Sequence, residues 1–162
     1  MRGFVKYTAP ALLGLVGLSC LAGDPDPFRY FVGSWTCDGH VIGHDTPLST
    51  AISAEWDEHT MTLTVRHDVI APHAYHAVET WGATKSPGQY HDSIADRFSG
   101  VRWFSSEGWK GDCLTWSRSE EGREIERFVY SRKGDKAMTV NWLVSRGDAD
   151  PTLAESLDCK KQ

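Results

Sequence analysis

The chain has 162 residues, with 17 Lys+Arg against 22 Asp+Glu, seven Trp, four Cys and three Met. At 40% hydrophobic and 24% charged, its composition fits one soluble globular domain and excludes a disordered or collagen-like chain. A net charge of −5 with no basic patch leaves no electrostatic footprint for a nucleic-acid partner.

The first segment reads as an address. Met1 to Lys6 is short and basic, the run from Ala9 to Ala22 is apolar, and the first acid is Asp24. A positive start, an apolar middle and small residues at Ala22-Gly23 make residues 1–22 a secretory signal peptide and leave 23–162 as one domain. The run carries Pro10 and glycines and is short for a transmembrane helix. Cleavage leaves fifteen Lys+Arg against 22 Asp+Glu, a charge of −7. Cys20 opens a rival reading, a lipoprotein anchored to a membrane. The usual acceptor has Leu three places before the cysteine, however, and Gly17 stands there. Either way the domain is expected outside the cytoplasm, periplasmic or secreted. Cys37, Cys113 and Cys159 then sit in an oxidising space, where one pair and one leftover is the economical outcome. Three buried free thiols are the alternative. No C-x-x-C is present, so neither a redox motif nor a structural zinc site is indicated.

Beyond Pro27 to Phe31, which has room for one short turn, the chain alternates strand and turn. Ser34 to Gly39 starts the series. Ser49 to Asp57 puts Ile52, Ala54 and Trp56 on one face, and Met61 to Val69 puts Met61, Leu63, Val65, His67 and Val69 on one face. Tyr75 to Gly82 alternates less cleanly, because both Val78 and Trp81 want cover. Gly100 to Ser105, Asp112 to Arg118, Glu124 to Arg132, Lys136 to Arg146 and Leu153 to Lys160 follow. In the strand from Lys136, Met138, Val140, Trp142 and Val144 share a face. Turn residues such as Ala71-Pro72-His73, Lys85-Ser86-Pro87-Gly88 and Lys133-Gly134-Asp135 separate the runs. The prediction is an all-β, antiparallel up-and-down chain of about nine or ten strands.

Such a chain laid flat exposes two sheet edges, which natural β proteins avoid. Pairing the first strand with the last closes it into a barrel and brings Cys37 beside Cys159. A disulfide is expected there, with Cys113 left free. On the chain-entropy model a loop that long stabilises by roughly 4 to 5 kcal/mol.

Phe31-Val32-Gly33-Ser34-Trp35-Thr36-Cys37-Asp38-Gly39 carries a Gly-x-Trp near the start of the mature chain, ahead of a strand meander. This resembles the lipocalin-like (calycin) superfamily, nearest its nitrobindin-like and fatty-acid-binding-protein-like barrels. The resemblance implies a closed barrel over roughly residues 28 to 160 that binds a small, mostly apolar ligand, with Trp35 plugging one end. Haem binding in the nitrobindin-like members resembles ligation by a late histidine. Here every histidine lies between His40 and His91, so haem is disfavoured and no cofactor is expected.

Within such a barrel, Met61, Leu63 and Val65 pointing inward bring His67 with them, and Trp81 inward brings Glu79 and Tyr75. A hairpin near Ala71-Pro72 makes His67 and Glu79 diagonal neighbours or closer, an imidazole and a carboxylate able to orient a ligand or act as acid and base. The competing reading is a satisfied buried pair, or a strand whose Glu79 faces water while Val78 faces in. Trp56, Trp81, Trp103, Trp116 and Trp142 lie on strands and either line a cavity or fill core. Tyr130 and Glu126 share a face with Phe128 as possible polar wall groups, with Arg127 solvated opposite. His40/His44 with Asp45 and His73/His76 with Asp68 are partial metal sets that no helix aligns, so no metal site is assigned. No phosphate loop or nucleophile motif is present.

The ligand-binding candidates are therefore Trp56, His67, Tyr75, Glu79, Trp81, Trp103, Trp116, Tyr130 and Trp142. The leading expectation is an exported protein that binds a small apolar or aromatic molecule. The alternative is a small cofactor-free lyase, isomerase or hydrolase working through His67 and Glu79. A filled barrel without a ligand is the third.

Overall fold

Period-two patterning becomes eleven strands in the computed structural model, which describes residues 27–44 and 46–162. The signal peptide, Cys20 and Asp45 lie outside the described residues. The strands are β1 (Gly33–Val41), β2 (Pro47–Asp57), β3 (Thr62–Ala71), β4 (Tyr75–Ala83), β5 (Tyr90–Asp96) and β6 (Gly100–Ser106), then β7 (Trp109–Lys110), β8 (Cys113–Glu120), β9 (Arg123–Arg132), β10 (Ala137–Val144) and β11 (Thr152–Lys161). The ladder runs β6-β5-β4-β3-β2-β1-β11-β10-β9-β8-β7, and β6 also pairs with β8. With β7 a two-residue spur on β8, the chain is a closed, antiparallel, up-and-down barrel of ten strands. Closure removes both edges.

The two seams differ. β1 and β11 pair over a long stretch, from Trp35 opposite Lys161 to Val41 opposite Glu155. Cys37 and Cys159 stand directly opposite in that register and form the disulfide, with Cα atoms 4.0 Å apart. Gly39 belongs to the same seam, because a Cβ there would lie 1.9 Å from the Ser156 carbonyl oxygen. The β6–β8 seam is thin, with Ser105 opposite Ser117. Cys113 is free, its Sγ 3.5 Å from Ser131 Oγ.

Two local expectations are corrected. β5 falls between predicted strands, because its inward residues include Asp92 and Asp96 and its pattern does not alternate apolar with polar. Met61 does not open β3. It sits in the preceding turn at φ 56°, exposed, and the strand begins at Thr62.

One end of the barrel is filled. A 3-10 turn at Arg29–Phe31 tucks Phe28 and Phe31 beneath the strands, where their rings lie 5.6 and 4.9 Å from that of Trp81. Trp116 is 5.2 Å from Trp81 and Tyr130 is 5.4 Å from Phe31. Gly33 at φ +117° lets the chain turn from this plug into β1. Trp35, two residues on, is buried and donates its indole N–H to the Phe31 carbonyl at 2.8 Å. Each fully buried aromatic here is worth about 2–3 kcal/mol of transfer free energy, so stability concentrates at this end.

Candidate functional site

Above the aromatic plug the barrel is hollow. A cavity of about 370 Å³ runs toward the end where the β3–β4 loop residues Pro72 and His73 and the β5–β6 turn residue Ser99 stand at its rim. Its walls divide by chemistry. Val41, Leu48, Val140 and Leu157, from β1, β2, β10 and β11, make an apolar wall. His67, Tyr75, Glu79, Arg102 and Tyr130, from β3, β4, β6 and β9, make a polar one.

The polar wall follows from register. Val65 pairs with Glu79 and His67 with Ala77, so His67 and Glu79 are diagonal neighbours. His67 Nε2 lies 3.0 Å from Glu79 Oε1, off the direction of an aligned hydrogen bond, so the contact is an ion pair. Glu79 Oε2 accepts the Trp81 indole N–H at 2.7 Å. Burial works against an imidazolium at His67, but the Glu79 carboxylate beside it, with help from Asp68, outweighs this and raises its pKa.

Glu79 also pairs in register with Ile94, and Ile94 with Arg102, which carries the wall on to β6. Arg102 donates Nη1 to Glu126 Oε1 and Nη2 to Asp96 Oδ2, the latter at 3.0 Å. Glu126 takes two more donors, Arg118 Nε and the Trp142 indole N–H, both at 3.0 Å. At Asp96 burial opposes the charge. The backbone N–H groups of Ser99 and Phe98, the Tyr75 hydroxyl and Arg102 nevertheless hold its pKa below the usual range. Burial and the neighbouring Asp96 push Tyr75 up to about 12, against the pull of Arg102. Tyr130 is raised well above its ordinary value by burial, Glu79 and Asp92.

Two carboxyls stand apart from this network. Asp92, one pleat below Ile94 on β5, has zero exposure and no partner for either oxygen. Burial and the nearby Glu79, only partly offset by Arg102, raise its pKa to about 10. Glu155 on β11 faces the cavity opposite Trp142, and burial raises its pKa too.

Of the residues singled out from the sequence, His67, Tyr75, Glu79, Tyr130 and Trp142 border the cavity. The ambiguous strand has Glu79 inward and Val78 outward. Trp81 and Trp116 lie in the aromatic plug below the cavity, and Trp56 is half-buried beside Leu63 on the β2–β3 pair. Trp103 is corrected: it is 64% exposed on the outer face of β6, because Arg102 and Phe104 take the inward phase. Arg127 is partly exposed and pairs with Glu124. Sequence reasoning missed Arg102, Asp92, Asp96 and Glu155. The spacing Tyr90-Asp92-Ile94-Asp96 held the strand period, with acids where apolar residues were sought. His76 Nδ1 lies 2.6 Å from Asp68 Oδ1 in an exposed pair. No group of three metal-ligating side chains converges among the described residues.

Fold and site together define a ten-stranded antiparallel barrel, plugged at one end, with a largely apolar cavity that carries a cluster of charged side chains. No model of a known protein family matches the chain, and comparison with curated proteins finds no match.

Proposed function

We propose that this is an exported, calycin-like binding protein that holds one small amphipathic molecule inside its barrel. The observation that carries the reading is the division of the cavity wall, with Val41, Leu48, Val140 and Leu157 facing His67, Glu79, Arg102 and Tyr130. Packed cores rarely leave voids larger than water, and about 370 Å³ falls within the usual range of ligand pockets. The apolar body of a ligand would rest on the first wall and its polar group on the second. A molecule burying about 200 Å² of apolar surface gains about 5 kcal/mol from that wall alone, before the cost of association. The Cys37–Cys159 disulfide suits an oxidising compartment, in keeping with the basic-then-apolar start of the chain.

Acid–base catalysis by His67 and Glu79 has less support. Both Glu79 oxygens already have a neighbour inside the wall, His67 at one and Trp81 at the other, which suits a fixed structural pair.

The test is fluorescence titration of the mature protein with N-phenyl-1-naphthylamine, alongside an Ala77→Trp variant whose indole would fill the cavity. One saturable site is expected in the parent, and loss of that site in a variant that keeps its β-sheet circular dichroism. Absence of saturable binding in the parent, or undiminished binding in the folded variant, overturns the proposal.

A further inference from the structure

Resting on that reading, we infer that the ligand carries a protonated nitrogen, received at Glu155 beside the ring of Trp142.

The cations are largely committed, and the unpartnered nitrogen of Arg102, Nε, is sealed from the cavity. Both Nη atoms of Arg102 are held, one by Glu126 and one by Asp96. Arg118 gives Nε to Glu126 and Nη1 to Glu120. His67 is paired with Glu79. An anionic ligand would have to expel a carboxylate from one of these pairs, leaving that carboxylate buried without a counter-charge. The wall therefore resists anions even though it contains arginine.

The acids are not spent. Four carboxyls that can carry charge face the interior, at Glu79, Asp96, Glu126 and Glu155, against the three cations His67, Arg102 and Arg118. Asp92, wholly buried with both oxygens unpartnered, holds its proton and adds no charge. Glu155 lines the cavity, its carboxyl has no hydrogen bond or ion pair among the described residues, and burial alone accounts for its raised pKa. The surplus is negative, and an incoming cation would relieve it.

The place is set by the β10–β11 ladder. Trp142 pairs with Glu155 and also with Phe128, whose ring stacks at 6.3 Å and 16°. The Trp142 indole is held by its bond to Glu126, and the ladder register sets the residue opposite Glu155, both lining the cavity. A carboxylate next to an indole face suits an ammonium group, which gains from both charge and the ring quadrupole. The apolar body then extends toward Leu157 and Val140 on the same wall. The ligand class is a small amine with an aliphatic or aromatic body.

The experiment compares 4-phenylbutylamine, 4-phenylbutanol and 4-phenylbutyrate by isothermal titration calorimetry on the mature protein and on Glu155→Gln. The amine is expected to bind at least about tenfold tighter than the alcohol, with the carboxylate weakest. Glu155→Gln is expected to collapse the amine-to-alcohol ratio toward one. The ranking in the parent protein needs no variant, so a Glu155→Gln protein that fails to fold leaves the inference testable. Equal affinities, or a carboxylate that binds best, overturn the inference while the binding function stands. Failure of all three to bind overturns the binding function and the inference with it.

Discussion

Asp92→Asn offers a test of the interior that needs no ligand. In the folded chain burial and Glu79 keep the Asp92 proton on up to about pH 10, whereas an unfolded aspartate releases it near 3.8. Between those values the folded state holds one more proton than the unfolded state, so stability falls as pH rises. The slope for one proton is about 1.4 kcal/mol per pH unit, or about 4 kcal/mol between about pH 5 and about pH 8. Asparagine keeps the shape and cannot ionise. Its amide inherits unpartnered surroundings, which costs about 1–3 kcal/mol, but that cost does not change with pH. His67 and Glu155, whose pKa values are also raised, act in both proteins and cancel in the comparison. Urea unfolding followed by tryptophan fluorescence across this range should give a parent curve that falls more steeply than the variant's, with similar m values. Parallel curves would show that Asp92 is ionised in the folded state and has partners, and the account of the cavity floor would fail.

Two further predictions concern what holds the barrel. Arg102→Met takes one charged partner from each of Asp96 and Glu126, whose side chains are nearly inaccessible but keep other donors, and is expected to cost about 1.5–3 kcal/mol by urea unfolding. Adding Glu126→Gln should recover part of that loss, and a fully additive pair would mean that the two residues do not interact. Replacing Cys37 and Cys159 together with alanine opens a loop with a sequence separation of 122, which the chain-entropy model values at about 5 kcal/mol. A lower urea midpoint with a somewhat larger m, from a less compact unfolded chain, is the expected result. A loss under about 1 kcal/mol would mean that the unfolded chain already holds β1 close to β11.

What could be read from the residues depended on whether a strand announced itself by apolar alternation. β2, β3 from Leu63 onward, β9 and β10 did so, and their inward phases follow from Ile52, Val65, Phe128 and Val140. The β1–β11 seam was legible because closure and the cysteine positions required the same pairing. β5 was not, because the residues that turn inward there are Asp92 and Asp96, and a rule that looks for apolar residues passes over them. The miss carried a cost for the site. Without β5, Arg102 had no visible partner, and β6 showed Trp103 as its most prominent side chain. A tryptophan on a strand is an inward residue by composition and an outward one by phase, and phase decides. Glu155 escaped for a related reason: one acid in Leu153 to Leu157 looks like a solvated residue until the partner strand places it opposite Trp142.

The distribution of charge inside the barrel also bears on why the chain is built in two halves. Buried ion pairs stabilise little relative to well-packed apolar residues of similar volume, so the network around Arg102 and Glu126 is a poor device for holding a fold together. Stability is supplied at the other end, by Phe28, Phe31, Trp35, Trp81 and Trp116, and along the seam that Cys37 and Cys159 fasten. With folding secured there, the upper half tolerates a hollow. The network's stronger effect is on geometry. Glu126 fixes Trp142, Arg102 joins β5 to β9 across the thin β6–β8 seam, and Asp96 draws in Tyr75 and the Phe98–Ser99 turn at the rim. A wall braced in this way keeps its shape when the cavity is empty, so an entering molecule meets a prepared surface and spends less of its binding energy ordering side chains.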